Sequence, residues 1–219
     1  MRKSIVAPSL LAADFGCLEQ EILSLTPIDA DWVHIDVMDG DFVPPITFGD
    51  NLVKLAKRHS PLFLDTHLMI SNPEKHFETF IAAGTNNLTF HLEATSDVKA
   101  AITKVKNLGC NVGLSIKPNT LLKETFKYLE GLDILLIMTV EPGWGGQKFI
   151  ESSLEKIEIA KKYIEQQGLK TKIQVDGGIN AETGKKCFDA GADVLVAGSY
   201  IFNSQNRTTA VQSLKFEEV

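Results

Sequence analysis

The chain has 219 residues, is 44% hydrophobic and 23% charged, and carries a formal net charge of −6. This composition is ordinary for a globular protein, and the net charge gives non-specific nucleic-acid binding no global support. No apolar stretch approaches the roughly 18 residues of a membrane span, and Cys17, Cys110 and Cys187 are odd in number, far apart and without a CxxC pair, which disfavours a disulfide framework or structural zinc site and fits a reducing cytoplasm.

The start, "MRKSIVAPSLLAADF", mimics a secretory signal, but Pro8 and Ser9 interrupt a very short apolar core and Asp14 follows at once. A cytoplasmic protein is therefore expected. The first apolar, β-branched run is "SIVAPSLL" (4–11), with its strand ending at Ser9. The second is "DWVHIDVM" (31–38), where His34 and Asp36 are two apart and so share one face of a strand. The third, "PLFLDTHLMI" (61–70), carries His67 at the corresponding height. "PEKHFETFIAAG" then reads as a helix opening on Pro73 and closing on Gly84, with Phe77, Phe80 and Ile81 on one face. Further runs are "NNLTFHLEA" (86–94), "CNVGLSIKP" (110–118) and "LDILLIMTV" (132–140). A helix "SSLEKIEIAKKYIEQQG" ends at Gly168 and is followed by "TKIQVDGG" (171–178), which places Asp176 at its strand end. The helix "AETGKKCFDAGA" and the run "ADVLVAGS" (192–199) close the pattern.

Short runs of this kind suit buried parallel strands, and their alternation with helices predicts right-handed βαβ units. Eight such runs in a chain of 219 residues point to α/β architecture, a single (β/α)8 TIM barrel, with residues 1–219 as one domain. Active sites in such barrels lie at the C-terminal strand ends. His34, Asp36, His67 and Asp176 would then converge at the barrel mouth. Buried charges need pairing or a metal, and imidazole with carboxylate suits one divalent ion: zinc, iron(II), cobalt or manganese. His59 and His76 read as solvated, Asp39 as a turn residue before Gly40, and His91 with Glu93 as a satisfied polar pair more than as part of the site. Three glycine-bearing turns, "EPGWGGQKF" (141–149), "DGGIN" (176–180) and "AGSYIF" (197–202), follow the last three strands. Glycines let backbone N–H groups approach a phosphate, and loops after strands seven and eight are a common phosphate site in barrels.

The segments "APSLLAADF", "HIDVMDGDFVPPITFG", "DTHLMISNPE", "MTVEPGWGGQKFI", "VDGGIN" and "VAGSYIF" together resemble the ribulose-phosphate 3-epimerase family, in consistent order from about residue 5 to 203. The resemblance implies that His34, Asp36, His67 and Asp176 hold the divalent metal and that Asp36 and Asp176 are the two acid/base groups. It further implies a sugar-phosphate substrate contacted by Ser9 and His67, with Gly143, Trp144, Gly145, Gly146, Gly177, Gly178, Gly198 and Ser199 around the phosphate end. Met38, Met69 and Met138 would line the reacting centre, and a homo-oligomer, dimer or hexamer, is implied. Asp41, Pro45 and Trp144 depart from the commonest family pattern, at positions that bear on loop shape rather than on reaction type. The implied reaction interconverts D-ribulose 5-phosphate and D-xylulose 5-phosphate: one carboxylate takes the proton at C3, the other returns one to the opposite face, and an enediolate lies between. Rival readings are a sister epimerase of a six-carbon ketose 6-phosphate, a barrel aldolase using Lys117 in "LSIKPNT", and a non-catalytic sugar-phosphate binder.

Overall fold

The computed structural model describes residues 1–218. Its eight strands are β1 (Ile5–Pro8), β2 (Trp32–Met38), β3 (Phe63–Met69), β4 (Asn87–His91), β5 (Asn111–Ile116), β6 (Ile134–Met138), β7 (Lys172–Asp176) and β8 (Val194–Ala197). All pairings are parallel, in the order β1-β8-β7-β6-β5-β4-β3-β2. The remaining seam, between β1 and β2, is closed by a parallel bridge from Ser9 to His34. The result is the (β/α)8 barrel, and each strand falls inside its expected run.

The helices are α1 (Leu18–Leu23), α2 (Asp50–His59), α3 (Phe77–Ala82), α4 (Val98–Asn107), α5 (Ser153–Gln166), α6 (Ala181–Ala190), α7 (Ser199–Phe202) and α8 (Arg207–Gln212). None among the described residues is long and apolar enough to cross a membrane.

Two connections differ from the expected pattern. The segment opening on Pro73 is split: Pro73–Lys75 is a 3-10 turn entered from Asn72 in the left-handed region, and α3 starts only at Phe77. Proline supplies no N–H and suits a first turn, but the tight turn it starts does not run on as α-helix. Phe77 and Phe80 are buried as expected, and Ile81 packs partly buried beside them. Between β5 and β6 there are only 3-10 turns, Leu122–Glu124 and Phe126–Gly131. Thr125 sits between them, fully buried, its hydroxyl donating to the Leu122 carbonyl at 2.8 Å, a local bond that competes with α-helix.

Strand alternation divides the barrel into two chemistries. Val33, Ile35, Val37, Leu64, Leu68, Leu88 and Phe90 point outward and join the main core under the helices. The alternate positions point inward and are largely polar: His34 and Asp36 on β2, Asp65 and His67 on β3, Asn87, Thr89 and His91 on β4, Ser115 on β5, Gln174 and Asp176 on β7. Registry sets His34 beside Asp65, Asp36 beside His67 and Met138 beside Asp176. Gly113 lies beside Thr89, and a Cβ there would collide with the threonine side chain. Gly113→Ala is therefore expected to cost about 1–3 kcal/mol by overpacking the barrel interior. A urea denaturation midpoint equal to wild type would show that the interior yields without strain.

Candidate active site

The strand ends deliver the expected residues to one place. Asp36, at 3% exposure, accepts a 2.6 Å hydrogen bond from the Ser9 hydroxyl. Its other oxygen stands 3.2 Å from His34 Nε2 and 3.0 Å from His67 Nδ1. Asp176 Oδ2 lies 3.8 Å from the same His67 nitrogen. One donor atom from each of His34, Asp36, His67 and Asp176 fits within 4.8 Å of the others.

The electrostatics separate the two carboxyls. Burial alone would raise Asp36, but the charge of His34 and hydrogen bonds from His34 and His67 hold it far below the usual carboxylate range. Asp176, half-buried and next to the Asp36 charge, is pushed up to about 6 by desolvation and by that charge. Burial would depress His34, yet Asp36 and Asp65 override it and hold it well above the ordinary imidazole value. The cluster thus contains two carboxyls, with the Asp65 carboxyl behind His34 as a third, and no lysine or arginine pairs with them among the described residues. Its field draws positive charge, and its donors are the nitrogen–oxygen mixture that a borderline divalent ion accepts. The residues present therefore fit one such ion.

Asp65 is the residue that sequence reasoning missed. Its Oδ2 accepts from His34 Nδ1 at 2.7 Å and from Gln174 Nε2 at 2.5 Å, while Oδ1 accepts from Asn87 Nδ2 at 2.7 Å. Held this way, His34 turns Nε2 toward the cluster. The available signal was spacing: Asp65 precedes His67 by two on one strand, as His34 precedes Asp36.

Above the cluster opens a cavity of about 860 Å³. Ser9, Asp36, Met38, Met69, Met138, Asp176, Gly177, Gly178, Gly198 and Ser199 line it, as do Gly143, Trp144, Gly145 and Gly146 on the loop after β6. His34 and His67 do not line it; both are fully buried beneath its floor. Pro45 reaches the mouth, whereas Asp41 does not. Lys117 is also outside the lining, its ammonium 4.0 Å above the Phe42 ring, and no lysine faces the cavity among the described residues. Asp39 is a turn residue as expected, accepting from the backbone N–H groups of Asp41, Phe42 and Ser71. His76 is exposed, but His59 is half-buried beside Glu19 rather than fully solvated.

The glycine turns are built to bring backbone close. Gly177 (φ +115°) and Gly178 (φ +67°) adopt conformations that other residues resist, and a Cβ on Gly178 would lie 2.7 Å from the Phe149 nitrogen. The following helix α6 is locked by a reciprocal cap in which Asn180 accepts from Thr183 N–H and Thr183 accepts from Asn180 N–H. The Thr183 hydroxyl also donates to the Gly178 carbonyl at 2.8 Å. Across the mouth, Gln147 braces the loop after β6 by donating to the carbonyls of Glu141 and Trp144.

A profile described as the ribulose-phosphate 3 epimerase family matches residues 5–202. The chain belongs to the ribulose-phosphate 3-epimerase family. Members are isomerases acting on carbohydrates. A ribulose-phosphate 3-epimerase of Bacillus subtilis is 41% identical over 211 residues, covering 96% of this chain and 97% of that one. That of Chlamydia pneumoniae is 39% identical over 204 residues, covering 92% and 89%. Among solved structures, KGPDC from Streptococcus mutans superposes with a TM-score of 0.71 at 15% identity, covering 97% and 96%, a likeness of fold alone.

The fourth-strand residue His91 abuts this epimerase-family site: its Nε2 is 2.9 Å from His67 Nε2, and its Nδ1 is 3.2 Å from Glu93 Oε2. Burial pushes His91 down to about 4, against the opposing pull of Glu93. Unfolded chain takes up this proton near pH 6.5, folded chain only near 4, so the stabilisation is complete above pH 6.5 and lost as pH falls toward 4. This group alone is expected to remove about 3 kcal/mol over that window. Denaturant midpoints at pH 7 and pH 4.5 should differ more for wild type than for His91→Gln; an equal difference would discount the buried neutral imidazole.

Proposed function

We propose that the protein interconverts D-ribulose 5-phosphate and D-xylulose 5-phosphate in the cytoplasm by moving the proton at C3, with Asp36 and Asp176 as the acid/base pair. The observation that carries this reading is the pair itself: two carboxyls at one cavity floor, one held low and one pushed up to about 6. Environments that drive two titratable groups apart mark out acid and base roles. In one direction an ionised carboxylate takes the C3 proton, and the electron pair of the C–H bond moves into the adjacent carbonyl, giving an enediolate. The other carboxyl, protonated, gives its proton to the opposite face of C3. The reverse reaction exchanges the roles, so no net proton is consumed.

His34, Asp36, His67 and Asp176 would hold one divalent ion. When bound, that ion supplies positive charge against the negative charge that develops on the substrate oxygens, an effect of several kcal/mol. Ser9, by its bond to Asp36, holds that carboxylate toward the cavity and meets the substrate beside it. Met38, Met69 and Met138 add apolar bulk with no hard donor and help to keep water from the carbanionic intermediate. Gly177, Gly178, Gly198 and Ser199 would receive the phosphate on backbone N–H groups, which an acidic protein can offer regardless of net charge. Gly143, Trp144, Gly145 and Gly146 would cover that end, with Trp144 now 63% exposed and free to do so.

The test is proton NMR of D-ribulose 5-phosphate in deuterium oxide. Xylulose 5-phosphate carrying deuterium at C3 is expected, with loss of turnover on treatment with a chelator and recovery on adding back a divalent ion. Asp36→Asn and Asp176→Asn should each lower kcat by roughly 10²–10⁴. Full turnover in either variant would falsify the two-carboxylate reading. No exchange at C3 of the pentulose, but exchange in a six-carbon ketose 6-phosphate, would move the protein to that substrate.

A further inference from the structure

The histidine and glutamate of "TFHLEA" take no part in the proposed proton transfer, yet the structure joins them to it. His91 ends β4, is fully buried, and lies outside the cavity lining. Its ring is stacked on that of His67, centroids 5.0 Å apart, with the two Nε2 atoms 2.9 Å apart. Two ring nitrogens at this distance share one proton, because two N–H groups would repel and so would two lone pairs.

The position of that proton follows from the other end of each ring. Without an ion His67 Nδ1 donates to Asp36 at 3.0 Å, with Asp176 at 3.8 Å; to ligate an ion it gives up that proton and offers a lone pair. The proton of a neutral His67 then sits on Nε2 and is donated to His91. His91 accepts at Nε2, so its own proton sits on Nδ1 and is donated to Glu93 Oε2 at 3.2 Å. Glu93 is in turn anchored at the rim, where its Oε1 accepts from the Lys117 backbone N–H at 2.9 Å and from the Thr120 hydroxyl. Each donor has one acceptor, and the series runs one way, from the cavity floor out to a carboxylate at the rim.

We propose that His91 and Glu93 are positioning residues that, once an ion is bound, hold His67 in the tautomer whose Nδ1 lone pair faces it. The proposal rests on the metal reading above. It gives the two histidines of the site different backing: His34 is held directly by the Asp65 carboxylate, and His67 by a carboxylate acting through a second imidazole. Backing of this kind fixes ring orientation and raises ligand basicity, and its loss costs roughly 10–100-fold in metal affinity.

Two measurements test it. Long-range proton–nitrogen NMR of zinc-loaded wild type with labelled histidine reads which ring nitrogen carries each proton. The expected result is Nε2–H on His67 and Nδ1–H on His91; Nε2–H on His91 would overturn the proposal. Zinc affinity is then measured by competition with a chromogenic chelator. His91→Phe, which keeps the ring but removes the acceptor, and Glu93→Ala should each weaken binding roughly 10–100-fold. His91→Gln, whose side-chain oxygen can accept from His67, should recover most of the loss. Wild-type affinity in both His91→Phe and Glu93→Ala would leave the pair only a packing role. Wild-type protein that takes up no zinc, iron(II), cobalt or manganese would instead remove the metal reading on which the proposal stands.

Discussion

The carboxylate of Asp36 ties the closure of the barrel to its chemistry. The β1–β2 seam, which has no full ladder, is bridged at Ser9 and His34, and the Ser9 hydroxyl crosses that seam to Asp36. The remaining oxygen of Asp36 meets His34 on its own strand and His67 on β3. Hydrogen bonds to a charged group contribute about 1.5–3 kcal/mol each, so the same contacts that keep the carboxylate ionised also hold three strands in register. A buried carboxylate with these partners is tolerable; without them it would oppose folding.

The barrel can carry so polar an interior because its stability is drawn from the other face. The outward side chains of the strands merge with the buried faces of the helices into one large apolar core, while smaller apolar clusters, such as Leu136, Met138 and Val140, occupy parts of the inner face and the β6 end. Inside, polarity is organised in a network in which Asp65 joins His34, Asn87 and Gln174 across β2, β3, β4 and β7. This network makes the lower barrel a rigid base for the His34, Asp36, His67 and Asp176 cluster. The mouth is built differently. There the Thr139 hydroxyl donates to the carbonyls of Asp176 and Gly177, joining the end of β6 to the end of β7 and to the first glycine of the turn that follows it. Rigid floor and glycine-rich rim suit the proton transfer proposed above, which needs accurate positioning below and substrate entry above.

Strand identity was legible because period and composition act locally: β-branched runs broken by glycine, proline and helical segments leave few alternatives. Helix type in the connections was less so. Pro73 and Thr125 turned expected helical stretches into 3-10 turns through effects of one proton donor or one hydroxyl, which a hydrophobic pattern does not register. The four-residue cluster was legible because identical height at strand ends is itself a consequence of strand length, which the sequence carries.

By itself, then, the sequence determined the eight-stranded barrel, the convergence of His34, Asp36, His67 and Asp176, and, through its motifs, the family. Tertiary structure alone decided which atoms of those residues face one another. Spacing alone put Asp65 on the face of His67, but an inward aspartate gains its partner only when β2–β3 registry sets it beside His34. His91 read as half of a local pair with Glu93, since a neighbour two residues away is visible in a sequence and a ring across the barrel is not. The split between the two carboxyls, one low and one near 6, likewise belongs to the fold. Proton affinity depends on burial and on distances of a few ångströms between groups far apart in the chain, and only the closed barrel sets those distances.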